Sequence, residues 1–237
     1  MASQTSLIRK TFESAGVISN EDIAYNPTTT PFSNLFNLNL AVQDSIDHGE
    51  PVYGLGKTYT IAQTVGPDDP RFQSIVLKSN CHIICLPGCR IIRGKDFNSV
   101  RRGVVSGGVT NGELATNARW IGGQFVGEPW TDPTNPEAGT QYPPGEVFRV
   151  AGHNLRLENI TIDGFGAADD PDAADKKRRG GIAMALWGNR IRVINPQIIH
   201  PYIPSASTLS ALAEDDDPHS AQTCASARTV LSASFIR

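Results

Sequence analysis

At 237 residues, with 39% apolar and 19% charged side chains, the chain is long enough for one continuous hydrophobic core, while its 22 glycines and 16 prolines match a helical bundle poorly. A net charge of -3 gives no reason to expect a nucleic acid partner, and no stretch approaches the roughly 18 apolar residues of a membrane span. The opening MASQTSLIRKTFESAG lacks the apolar centre of a signal peptide, which is compatible with a cytoplasmic or a virion-associated protein, since phage structural proteins reach the exterior without one.

Taken from the N terminus, SLIRKTFESAG reads as about two helical turns ended by Gly16, and NPTTTPFSN as a breaker-rich link. Residues 33–51 then offer Leu35, Leu38, Ala41, Val42 and Ile46 at helical spacing, with Gly49 as the stop. Residues 1–50 are therefore expected to be an N-terminal arm and a capping helix that closes the open end of the region beginning at residue 51. The alternative is a loosely attached arm, or one that contacts further copies of the chain.

From residue 51 the pattern changes. An Asn followed by an apolar, β-branched run recurs at Asn80, Asn117, Asn154 and Asn189, at intervals of 37, 37 and 35 residues. IVLKSNCHIICLPGCRIIRG from Ile75, VFRVAGHNLRLENITIDGFG from Val147 and IAMALWGNRIRVINPQIIH from Ile182 share one plan: a short strand, a tight turn and a longer alternating run. Such a unit cannot bury its apolar face alone, so it must stack on its neighbours. Leucine-rich and ankyrin signatures are absent, and propeller blades would need four strands each. The expected fold is all-β: a single-stranded, right-handed parallel β-helix over residues 51–204, of about five to seven coils. Ile83, Ile91, Leu155, Leu157, Ile160, Ile162, Ile191 and Val193 should face inward, and Asn80, Asn154 and Asn189 should form a hydrogen-bonded turn ladder.

Two stretches interrupt the repeat. EPWTDPTNPEAGTQYPPGE (128–146) and AADDPDAADKKRRGG (167–181) are dense in turn-forming and charged residues and read as insertions. Leaving equivalent places in successive repeats, they are expected on one side, as the walls of an elongated groove. Cys81, Cys85 and Cys89 lie among Ile83, Ile84 and Leu86 without the paired knuckles zinc requires, so they read as reduced packing residues. After Tyr202 the repeat plan stops, and residues 205–237 are expected to be an irregular or weakly helical tail.

The order AVQDSID, PVYGLGKTYTI, SIVLKSNCHIICLPGCRIIRG resembles the opening of the pectin-lyase-like superfamily, with Gly54, Gly56, Tyr59, Ile61, Leu77, Lys78, Ser79, Asn80, Gly88 and Ile91 filling its pattern. ARWIGGQFVG (118–127) and NLRLENITIDG (154–164) are similar to its later coils, and the likeness spans about residues 35–200. It implies the same β-helix and a polysaccharide partner, in a polygalacturonase-like hydrolase, a lyase or epimerase, or a phage tailspike; a tailspike-like chain would assemble as a homotrimer. Family hydrolases carry Asn-x-Asp, Asp-Asp, Gly-His-Gly and Arg-x-Lys motifs. Here only Asp169-Asp170 matches the pair, inside an insertion, and Arg190-Ile191-Arg192 is a weak echo of the basic motif. A full-length family enzyme would carry further coils after these, so a truncation or an altered reading frame is one expectation.

Glycoside hydrolysis needs two carboxyl groups, about 5 to 5.5 Å apart for retention or about 6.5 to 9.5 Å for inversion. Asp163 ends a strand beside the loop that holds Asp169 and Asp170, so these are the catalytic candidates, against a plain role in Asp-Gly and Asp-Asp-Pro turns. Neutralising a uronate, as a lyase must, would fall to Arg149, Arg156, Arg190 and Arg192, which could equally be solubilising strand residues. Trp130, in a loop with few apolar neighbours, is the expected platform for a sugar ring, whereas Trp187 is expected in the core. The leading expectation is a polysaccharide hydrolase with Trp130, Arg149, Arg190 and Arg192 as substrate contacts and no metal or cofactor. The alternatives are a non-catalytic carbohydrate-binding or structural β-helix, or a lyase.

Overall fold

The structure is a computed structural model that describes residues 10–63, 71, 74–93, 103–108, 113–127, 147–164 and 183–199, together with the backbone of 130–131, 140–141, 167–169, 178–180 and 229–231. A 3-10 turn at Glu13–Ala15 ends on Gly16 in the left-handed region, and helix α1 spans Thr30–His48. The first coil holds β1 (Val52–Gly54), β2 (Thr58–Ile61) and β3 (Ile75–Val76); the second holds β4 (His82–Cys85), β5 (Arg90–Arg93) and β6 (Val105–Gly107). The third is β7 (Arg119–Ile121), β8 (Gln124–Gly127), the short pair β9 (Trp130–Thr131) and β10 (Thr140–Gln141), then β11 (Phe148–Ala151). The fourth is β12 (Arg156–Glu158), β13 (Thr161–Asp163), the pair β14 (Ala167–Asp169) and β15 (Arg178–Gly180), then β16 (Met184–Trp187). A fifth coil contributes β17 (Arg192–Ile194) and β18 (Gln197–Ile199), and β19 (Thr229–Leu231) comes last.

These strands sort by position into three sheets: A is β1-β4-β7-β12-β17, B is β2-β5-β8-β13-β18, and C is β3-β6-β11-β16 with β19 on its far edge. Every pairing between successive coils is parallel and in register; the antiparallel pairs are β9 with β10, β14 with β15, and β19 with β16. The chain is a right-handed parallel β-helix, with four complete three-strand coils and two strands of a fifth among the described residues. Strand β19 falls inside the stretch read from sequence as an irregular tail.

Alternation fills the interior. Ile83, Ile91, Leu155, Leu157, Ile160 and Ile162 are buried, while Ile191 and Val193 pack against the core only in part. At mid-stack Trp120, Phe125 and Phe148 form an aromatic triangle with centroids 5.0 to 6.2 Å apart. Cys81, Cys85 and Cys89 are buried free thiols, and burial pushes the Cys81 thiol up to about 11, which suits packing rather than reactivity.

The open N-terminal edge is covered chemically as well as sterically. Helix α1 lays Leu35, Leu38, Ala41 and Val42 over the first coil, and its buried polar residues satisfy strand groups that have no strand below them. Asn34 Nδ2 donates to Thr60 O (3.0 Å) in sheet B; Asn39 accepts from Val76 N (2.8 Å) and donates to Ser74 O (2.9 Å) at sheet C; Ser45 Oγ accepts from His82 N (3.2 Å) in sheet A. Residues before the helix add a further layer: Phe12 N donates to Tyr53 O (2.9 Å), and Phe12 and Val17 are buried. Residues 10–48 thus pack over the edge of the first coil.

The turns from sheet C to sheet A hold the expected ladder, with one correction. Asn117 Nδ2 donates to Asn80 Oδ1 (3.2 Å) and Asn154 Nδ2 to Asn117 Oδ1 (2.7 Å), and all three residues have positive φ, a conformation Asn tolerates. The fourth rung is not Asn189 but Arg190, with φ 59°; Asn189 instead aligns with His153, whose Nδ1 accepts from Asn189 N at 3.2 Å. A second, unforeseen rung lies in the sheet A to sheet B turns, where Asn195 Nδ2 donates to Asn159 Oδ1 (3.3 Å).

Candidate functional site

Both hairpin pairs leave from the same place in successive coils, the corner between sheets B and C: β9 and β10 lie between β8 and β11, and β14 and β15 between β13 and β16. The expectation that the insertions share one side therefore agrees with the topology. Trp130 stands at this corner in β9, opposite Gln141, and Asp169 in β14, opposite Arg178. Asp170 lies outside the described residues. Asp163 closes β13 on the outer face of sheet B just before the corner, half-buried, and accepts a hydrogen bond from Gln124 Nε2 (3.0 Å) one coil earlier.

Arg149 stands on the outer face of sheet C directly after the corner, in register with Ser106 and Ala185. Its guanidinium carbon lies 5.3 Å from the centroid of the Trp187 ring, one coil on. Trp187 is thus not a core residue. It ends β16 in the outward phase, half-buried, whereas Trp120 points inward and is buried. Sequence reasoning missed the pair because both tryptophans sit in apolar strand runs, and only the parity of the strand separates them. Along the rest of sheet C the outer positions Val76, Ser106 and Ala185 are buried, so among the described strand residues of this face the accessible ones are Arg149, Ala151 and Trp187.

Arg190 and Arg192 belong elsewhere. Arg190 occupies the sheet C to sheet A turn and Arg192 opens β17 on the outer face of sheet A, both exposed. The seven sequence candidates thus divide: Trp130, Asp163, Asp169 and Arg149 border the B–C corner, Arg190 and Arg192 lie across the molecule, and Asp170 is not described. Among the described residues no group of three or more His, Cys, Asp or Glu side chains is arranged to hold a metal ion, and no helix is long and apolar enough to cross a membrane. Arg93, at the inner end of β5 where the corner begins, is fully buried, and burial lowers its pKa to about 9.

Comparison with family models, with curated proteins and with solved structures returned no match. What is established is the parallel β-helix and the place of the described residues on it.

Proposed function

We propose that the protein recognises a polysaccharide at the B–C corner, where the insertions meet the outer face of sheet C. The observation that carries this reading is the Arg149–Trp187 pair. A guanidinium held over an indole presents its N–H groups beside the ring to hydroxyl or carboxylate oxygens, and the ring edge offers apolar surface to a sugar. Trp130 starts the insertion of the preceding coil at the same corner and would extend the platform.

A second reading, glycoside hydrolysis, is favoured by Asp163 and Asp169, which bracket the start of the second insertion. One would act as general acid with a raised pKa and its partner as base or nucleophile. The hydrogen bond from Gln124 Nε2 fixes the orientation of the Asp163 carboxyl, which suits the second role.

The test is retention on immobilised polysaccharides combined with assays for new reducing ends and unsaturated products. Binding without either product leaves the protein a carbohydrate-binding β-helix. Hydrolysis that falls at least about tenfold in Asp169→Asn or Asp170→Asn supports the enzyme, since general acids contribute about 10² to 10⁴ fold. Retention unaffected by Trp187→Ala and by Trp130→Ala would remove the corner from consideration.

A further inference from the structure

Sheet A carries a pattern that the corner does not explain. Its in-register pairings bring His82, Arg119, Arg156 and Arg192 to one outward position in four successive coils. Neighbouring parallel strands are about 4.8 Å apart, so this is a straight basic column along the helix axis. The next outward column is Tyr53, Ile84, Ile121, Glu158 and Ile194, half-buried and apolar except for Glu158.

Charges placed for solubility alone would alternate in sign, because like charges directly opposite on neighbouring strands are destabilising. Here a single carboxylate, that of Glu158, accepts from Arg156 Nε at 2.7 Å. Arg119 and Arg192 on either side are exposed and have no acidic partner among the described residues. His82 registers the resulting field. Burial and then the charges of Arg119 and Arg156 lower its pKa, and its Nε2 is buried without a hydrogen-bond partner. Two residues before Arg192, the asparagine ladder gives way to Arg190, which adds a cation at the cost of a left-handed backbone that Asn would hold more easily.

We propose that the outer face of sheet A binds a linear acidic glycan lengthwise, with its anionic groups on Arg119, Arg156 and Arg192 and its sugar rings against Ile84, Ile121 and Ile194. One charge per sugar matches one arginine per coil, because the repeat of an extended hexopyranose chain is close to the strand spacing. Guanidinium groups accept carboxylate and sulfate alike, so a polyuronate and a sulfated glycan share this chemistry. A single-stranded nucleic acid is disfavoured: it would want stacking rings along the track, and among the described residues this face offers Tyr53 and His82, both at one end. The site faces away from the corner and stands independently of the corner reading.

The experiment uses the full chain and compares a polyuronate, a sulfated glycan, an uncharged glucan and an oligonucleotide of equal charge. The expected result is salt-sensitive binding of one or both acidic glycans, weakened about tenfold in R119Q/R192Q with an unchanged melting temperature. R119K/R192K, which keeps the charges, should bind at an intermediate level. His82 provides a readout local to this face: its imidazole pKa, followed by NMR, should rise when the acidic glycan binds, because an anion then offsets the arginine field. Equal binding by R119Q/R192Q, equal binding of the uncharged glucan, tighter binding of the oligonucleotide, or a His82 pKa that does not move would each overturn the proposal. So would dissociation of an oligomer by R119Q/R192Q, which would make the face a contact between copies.

Discussion

The first and the last described coils of the stack are built from the same repeat and covered differently. At the first coil, α1 and residues 10–20 cover the interior, so that Val52, Tyr59, Ile61 and Ile75 are fully buried and the strand-edge amides have Asn or Ser partners. At the fifth, Ile191, Val193 and Ile198 fill the same inward columns yet are only half-buried, and Ile199 is 37% exposed. A coil gains its burial from both neighbours, so a residue's contribution is set by its place in the stack as much as by its identity.

Core truncations should expose this difference most. Leu38→Ala, on the buried face of the capping helix, is expected to cost about 2–5 kcal/mol, whereas Val193→Ala in the last described coil should cost about 1 kcal/mol or less. Equal shifts in denaturant midpoint would mean the ends are equivalent. Asn39→Ala is next: it strands the Val76 amide and the Ser74 carbonyl in a buried place and should cost about 2–3 kcal/mol. Hydrogen exchange should then quicken in β3 and leave β17 unchanged.

At the far end the expected change has the opposite sign. Arg190→Asn restores the residue type of the three earlier rungs and should stabilise by about 1 kcal/mol. A loss of stability would show that Arg190 makes contacts worth more than its backbone strain. The smallest effect belongs to pH. The folded pKa of His82 lies below its ordinary value, so the unfolded chain binds the proton first as pH falls. Stability should decline as pH drops through the ordinary imidazole range toward the depressed folded value, then level off for this group. Arg119→Gln should narrow that window by raising the His82 pKa, read by NMR titration.

Much of the architecture was legible because alternation and period are properties of the string itself. The inward set from Ile83 to Ile162, the helix over Leu35 to Ile46 and the common corner of the insertions are all consequences of spacing. The capping role of Asn34 and Asn39 was not, since within a helical pattern they read only as weak helix formers, and their strand partners are 26 to 37 residues away. The basic column was hidden by a single misaligned letter. Arg119, Arg156 and the aligned His82 each lie two residues after a ladder asparagine, and taking Asn189 as the fourth rung points to Ile191. With Arg190 in that slot, the same offset gives Arg192. At the corner, Asp163 was visible as a strand end, but the relation between Asp169 and Trp130 depends on insertions that obey no repeat.

In-register stacking also makes each outer face a ruler. Every additional coil would extend a column by about 4.8 Å and one side chain. The number of ligand units held at once is then a count of coils, and avidity can be tuned by duplicating or deleting a module without redesigning any single contact. Valency here is a property of chain length.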